Sequence, residues 1–236
     1  MDQEIELIAE YVKRLLPLSS ARLGDEYFYQ SLPLCVIDAV YSIGVRYTGV
    51  QAVVARYCEK FRLPKVRKNR KHLPPKDEQE SITAFYQKIE KIGAESMATK
   101  VFCNRQRTST RSGILKADAV QRFARVLSEH KVQYFQDISR AADDESLEKS
   151  ILSIPGQGSG VSLRYFWMLA GSDEFIKPDR MVLRFLESAL SRPVSVHEAQ
   201  NLLSGACDLL KKDHPNLTPR LLDHEVWKHQ RDKPVS

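Results

Sequence analysis

The sequence has little of what usually marks a membrane, metal or secreted protein. No apolar run in its 236 residues approaches the roughly 18 needed to cross a bilayer. The acidic start Met1-Asp2-Gln3-Glu4 is unlike a signal peptide, so an intracellular protein with no membrane partner is expected. Cysteine is sparse, and Cys35, Cys58, Cys103 and Cys207 stand singly with no CxxC pair. Neither a zinc site nor an iron–sulfur cage is readable from that spacing, and reduced thiols are expected. No segment alternates with period two and no repeat recurs at a fixed period, which argues against sheets and solenoids. His224-Glu225-Val226-Trp227 lacks the second histidine of a zinc-binding helix motif.

What is present is an ordinary globular composition, 42% hydrophobic and 28% charged, long enough for one large domain or two lobes. A net charge of +6 says little by itself, but its distribution says more. Lys60, Arg62, Lys65, Arg67, Lys68, Arg70, Lys71 and Lys76 follow one another with no acidic residue before Asp77. Such a run is either a solvated loop or a phosphate-facing patch. Lys100, Arg105, Arg107 and Arg111, interleaved with Ser and Thr, form a second basic stretch.

Apolar residues recur at helical spacing in Ile5, Leu7, Ile8, Tyr11, Val12 and Leu15, and again in Val120, Phe123, Ala124 and Leu127. Similar patterns cover about 34–44, 49–61, 79–92, 94–103, 147–153, 160–170, 179–190, 195–211 and 219–229, with prolines at most of the breaks. The expected fold is all-α: one two-lobed unit over 1–236. One lobe spans about 21–135 and carries the basic loop 60–76. The other joins about 1–20 to 136–236.

The most informative segment is Ser150-Ile-Leu-Ser-Ile-Pro-Gly-Gln-Gly-Ser-Gly-Val-Ser-Leu-Arg164. Pro155 blocks one helix, and Gly156, Gly158 and Gly160 permit a tight turn before the next begins. Glycines there would let the backbone N–H groups around Val161 approach a phosphate, which the helix dipole also favours. A Pro-Gly-x-Gly turn can equally do no more than join two packed helices. Phe175-Ile-Lys-Pro-Asp179-Arg180 follows, placing Asp179 nineteen positions after Gly160.

In these two motifs the chain resembles the helix-hairpin-helix DNA glycosylase superfamily, strongly over about 145–190 and loosely elsewhere. Ile154-Pro155-Gly156-Gln157-Gly158 is similar to the family's hairpin, and Asp179 stands where its aspartate does. The resemblance implies an enzyme that flips a damaged or modified base out of duplex DNA and cleaves its N-glycosidic bond. Base excision repair, or defence against modified foreign DNA, would be its setting, and a monomer its working form. Asp179 would stabilise positive charge on the sugar and orient water. As an Asp after Pro it also suits a plain helix N-cap.

The family's lyase members carry a hairpin lysine where this chain has Gly160, so hydrolysis leaving an abasic site is implied. The resemblance also implies no iron–sulfur cluster, since Cys207 is the only cysteine after residue 103. Backbone carbonyls of Leu152, Ile154 and Gln157 would hold a K+ or Na+ ion. Arg46 or Tyr47 would supply the wedge, and Asp38 and Tyr41, three apart on one helix face, the base pocket. Asp38 also suits a role satisfying a local partner, and Tyr165, Phe166 and Trp167 suit either the core or base stacking. A non-catalytic helix-hairpin-helix DNA-binding protein or scaffold subunit is the competing function.

Overall fold

A computed structural model describes residues 2–45, 47–110 and 112–231, which leaves Arg46 and Arg111 outside the described residues. The chain is all-α. Its helices are α1 (Asp2–Leu15), α2 (Leu32–Tyr41), α3 (Tyr47–Phe61), α4 (Ile82–Ile92), the single turn α5 (Ala94–Ser96), α6 (Lys116–Glu129), α7 (Ile138–Ala141), α8 (Glu145–Leu152), α9 (Val161–Leu169), α10 (Arg180–Leu190), α11 (Val196–Leu210) and α12 (Pro219–Arg231). A π-helical turn over Met97–Val101 continues α5. Among the described residues no strand forms, and the only bridges are the isolated antiparallel pairs Tyr29–Val66 and Arg107–Leu115. No helix among them is long and apolar enough to cross a membrane.

Two compact units result, Asp25–Gly171 and Met1–Gly24 with Ser172–Ser236. The sequence suggested a division near 135 instead. The difference has a packing cause: α8 rests on α6 and α9 on α2, so both hairpin helices stay with the middle of the chain. The chain leaves that unit at Gly171, whose φ of +110 suits glycine.

In the Asp25–Gly171 unit, α2 is the central helix. All ten of its residues are buried, with α3, α6 and α9 around it. A helix apolar on every side has no solvent face to present and so belongs in the middle. Each fully buried Leu or Ile there contributes about 1.5–3 kcal/mol. Helix α4 begins later than the 79 its pattern suggests, because the preceding polar side chains are committed elsewhere. Gln79 Nε2 donates to Pro74 O at 2.7 Å, Glu80 accepts from Tyr57 at 2.9 Å, and Ser81 caps the helix through Ala84 N.

The basic run is more ordered than an open loop. Gln30 N donates to Lys65 O at 3.0 Å and Arg67 N to Phe28 O at 2.9 Å. The Arg67 guanidinium lies over Phe28 and Phe135, 5.4 and 5.0 Å from their centroids. Arg70 pairs with Asp25, while Arg62, Lys68, Lys71 and Lys76 stay exposed.

The other unit joins the two ends of the chain. α1 packs on α10 and α11, and α12 on α10 and α11, around a core that includes Ile8, Val12, Phe185, Leu203 and Val226. Ser195 and Glu198 form a reciprocal capping box at the start of α11. Across both units no disulfide joins the four cysteines, with Cys103 exposed and the other three buried. Burial pushes the Cys58 and Cys207 thiols up to about 11, away from thiolate chemistry.

Candidate functional site

The hairpin forms as its sequence dictates. Asp144 caps α8 by accepting from Ser146 N at 2.9 Å and Leu147 N at 3.0 Å. After Pro155 the turn closes on itself: Gln157 N donates to Ile154 O and Gly160 N to Gln157 O, both at 2.9 Å. Gly160, left-handed at φ +72, is the N-cap of α9, so the free N–H groups of the first turn begin at Val161.

The three glycines turn out to differ. Gly156 has φ +86, and a Cβ there would collide with the Thr108 side chain. Gly158 has no such φ, and a Cβ on it would meet only Leu152 O at an ordinary 3.7 Å. Nothing among the described residues requires glycine at 158. Through Thr108 the second basic stretch lies directly against the hairpin, with Arg105, Arg107, Ser109 and Thr110 exposed. Arg107 donates to Gly113 O at 2.7 Å, closing that loop.

In the same unit, α9 contributes to a cluster centred on Asp38. Its carboxylate, fully buried on α2, accepts from Tyr29 Oη at 2.7 Å. Tyr47, the described wedge candidate, stacks on Tyr27 with centroids 5.8 Å apart. The hydroxyls of Tyr29, Tyr47 and Tyr165 are pushed up first by burial and then by the charge of Asp38. One carboxylate thus sits among four tyrosines from three segments, the stretch ahead of α2, α3 and α9. Tyr41 faces elsewhere: it packs edge-on against Phe102, centroids 5.3 Å apart, and its buried hydroxyl has no hydrogen-bond partner among the described residues. Phe166 is buried against Phe123 on one side and Trp167 on the other. Tyr27 and Tyr29 carry no helical period, so only their place in space marks them.

Asp179 belongs to the unit of the chain ends. It is half-buried, and its Oδ1 caps α10 by accepting from Met181 N at 2.8 Å and Val182 N at 3.4 Å. Oδ2 takes no hydrogen bond among the described residues. Two helices hold the loop ahead of it. From α11, Gln200 Oε1 accepts from Ile176 N at 3.1 Å and Nε2 donates to Glu174 O at 3.0 Å. From α12, Asp223 Oδ1 accepts from Lys177 N at 2.8 Å, and Arg220 reaches the loop at Asp173 through its N–H, 3.1 Å, and its guanidinium, 3.5 Å. Burial and the neighbouring charge of Asp179 push Asp223 up to about 8. Sequence reasoning missed Gln200 and Asp223, which lie on amphipathic helices where a polar residue reads as a solvated one.

No group of three or more His, Cys, Asp or Glu residues suited to a metal ion occurs among the described residues. The family whose description is "Domain of unknown function (DUF8548)" matches residues 6–231. No curated protein and no solved structure matches the chain.

Proposed function

We propose that this chain, which belongs to the family described as Domain of unknown function (DUF8548), is a monofunctional DNA glycosylase that acts on a damaged or modified base in duplex DNA. The observation that carries the reading is the succession of a glycine turn capping α9 and a half-exposed aspartate with one carboxylate oxygen uncommitted. The turn and the N-terminus of α9 would grip backbone phosphate. Asp38 with Tyr27, Tyr29 and Tyr165 would supply what an extruded base needs, aromatic faces and a hydrogen-bonding carboxylate. The Tyr47 ring is the wedge candidate.

Cleaving the bond between base and sugar builds positive charge on the sugar ring. A fixed carboxylate at Asp179 would stabilise that charge and align the attacking water. Gly160 stands where a lyase would need an amine, and no lysine lies between Ser150 and Lys177, so the product is an intact strand with an abasic site. The carbonyls of Ile154 and Gln157 accept turn hydrogen bonds, and each keeps a second lone pair. With Leu152 O they would suit a K+ or Na+ ion that draws a phosphate to the turn.

One observation favours a non-catalytic DNA-binding protein: Asp179 already has a structural task as the α10 cap. The variant Asp179→Asn separates the two, since Asn caps as well as Asp but carries no charge. Duplexes bearing different lesions are incubated with the protein and the abasic sites cleaved with alkali. Wild type yields breaks on at least one substrate, and Asp179→Asn loses about 10²–10³-fold in rate while duplex affinity is kept. Breaks without alkali would contradict the hydrolytic mechanism.

A further inference from the structure

The loop carrying Asp179 is tied down by a second carboxyl group that no solvent-facing role explains. Asp223 is only 6% exposed, and its Oδ1 is spent on Lys177 N, 2.8 Å away. Lys177 O in turn accepts from Asp179 N at 2.6 Å, so a short chain of backbone bonds links the α12 carboxyl to the candidate catalytic residue. We propose that Asp223 is the positioning residue of Asp179: from α12 it anchors the backbone of the loop that carries Asp179 and pairs its own enclosed carboxyl with that residue. This rests on the glycosylase reading for its functional consequence, but the pairing itself does not.

Of two adjacent carboxyls, the more enclosed one holds its proton to higher pH. Asp179 is half-exposed at the N-cap of α10. Asp223 is enclosed. It is faced by Asp179 and Lys177 from the loop and by Arg220 one turn earlier on its own helix, and Arg220 is itself engaged with Asp173. Gln200, the α11 side chain bound to the same loop, is uncharged. Burial is the largest influence on Asp223 and the charge of Asp179 the next, and together they hold it at about 8. At neutral pH Asp223 is therefore held protonated beside the residue whose Oδ2 is uncommitted.

The test has two arms. Carbon-13 NMR of aspartate-carboxyl-labelled protein, titrated from pH 4 to 10, shows one aspartate titrating near 8, absent from Asp223→Asn and moved down in Asp179→Asn. An Asp223 that titrates in the ordinary carboxylate range, or ignores the substitution at 179, overturns the pairing. In the second arm, single-turnover base release is followed against pH. Asp223→Asn, which keeps an acceptor for Lys177 N, stays within about threefold of wild type at pH 7. Asp223→Ala, which frees the loop, loses about 10–100-fold. Wild-type rates fall above pH 8, where an uncompensated buried charge appears, and those of Asp223→Asn stay level. If base release occurs but neither variant alters it, positioning is refuted. If no base is released from any substrate, the glycosylase reading fails while the NMR arm still decides the pairing; should Asp223→Ala not fold, Asp223→Asn and the titration decide alone.

Discussion

Gly156 and Gly158 stand two positions apart in one turn and answer to different masters. At Gly156 the left-handed φ and the Thr108 side chain both exclude a Cβ, so Gly156→Ala costs about 1–3 kcal/mol through strain and overpacking. At Gly158 neither reason applies, and Gly158→Ala stays within about 0.5 kcal/mol of wild type in thermal unfolding. If that glycine serves close approach to a phosphate, the same variant weakens duplex binding by about tenfold, one lost charge-assisted contact. Unchanged affinity would remove the turn from the DNA-binding surface. The glycine pattern was plain in the sequence, but its meaning was not. Thr108 lies forty-eight residues upstream, and no local rule connects it to Gly156. Asp38 is similar: its buried setting followed from its apolar neighbours, while Tyr29, its partner at 2.7 Å, comes from an irregular stretch.

Helix α12 shows how one element sets opposing responses to pH. Asp223 is held up at about 8 and its neighbour His224 down to about 4, the latter by burial. Between about pH 4 and 8 the folded state keeps a proton on Asp223 that the unfolded chain releases, so this group's stabilisation is complete in acid and lost as pH rises through 8. Between about 6.5 and 4 the unfolded chain protonates at His224 while the folded one does not, so that contribution is lost as pH falls. The two slopes cancel from about pH 4 to 6.5, and a net loss from the pair emerges between 6.5 and 8. Urea unfolding at pH 5, 6.5 and 8.5 checks this. Asp223→Asn abolishes the decline above 6.5, and His224→Gln exposes a decline that begins already near pH 4. An unaltered decline in Asp223→Asn would show that another group governs it. The helix itself was legible from its 219–229 pattern, as α10 was from 179–190, because both carry amphipathic stripes. By contrast α2, buried on every side, begins at Leu32 rather than 34 and ends at Tyr41 rather than 44, since uniform hydrophobicity marks no boundary.

At the scale of the whole chain, the all-α class followed from periodicity, whereas the division into units depended on which helices touch. The unit that holds Asp179 is assembled from both chain ends, a non-local pairing that no window of sequence displays. Net charge also belongs to this scale. Of the eight cations between Lys60 and Lys76, Arg67 is stacked between two phenylalanines and Arg70 is paired with Asp25, so the run is part scaffold and part solvated surface. Lys68 and Lys71 are exposed and have neither commitment. If the patch neutralises DNA phosphates, binding to any duplex falls with salt at a slope proportional to the contacts made. Reversing both charges in Lys68→Glu/Lys71→Glu then flattens that slope by about two, uniformly across sequences, and leaves thermal stability within about 0.5 kcal/mol. The corresponding reversal of Arg67 and Arg70 lowers stability as well, because those side chains cover aromatic rings. Fluorescence anisotropy with an undamaged duplex at several salt concentrations distinguishes the two pairs. Equal slopes in wild type and Lys68→Glu/Lys71→Glu would mean that this exposed charge serves solubility and the phosphate contacts lie elsewhere.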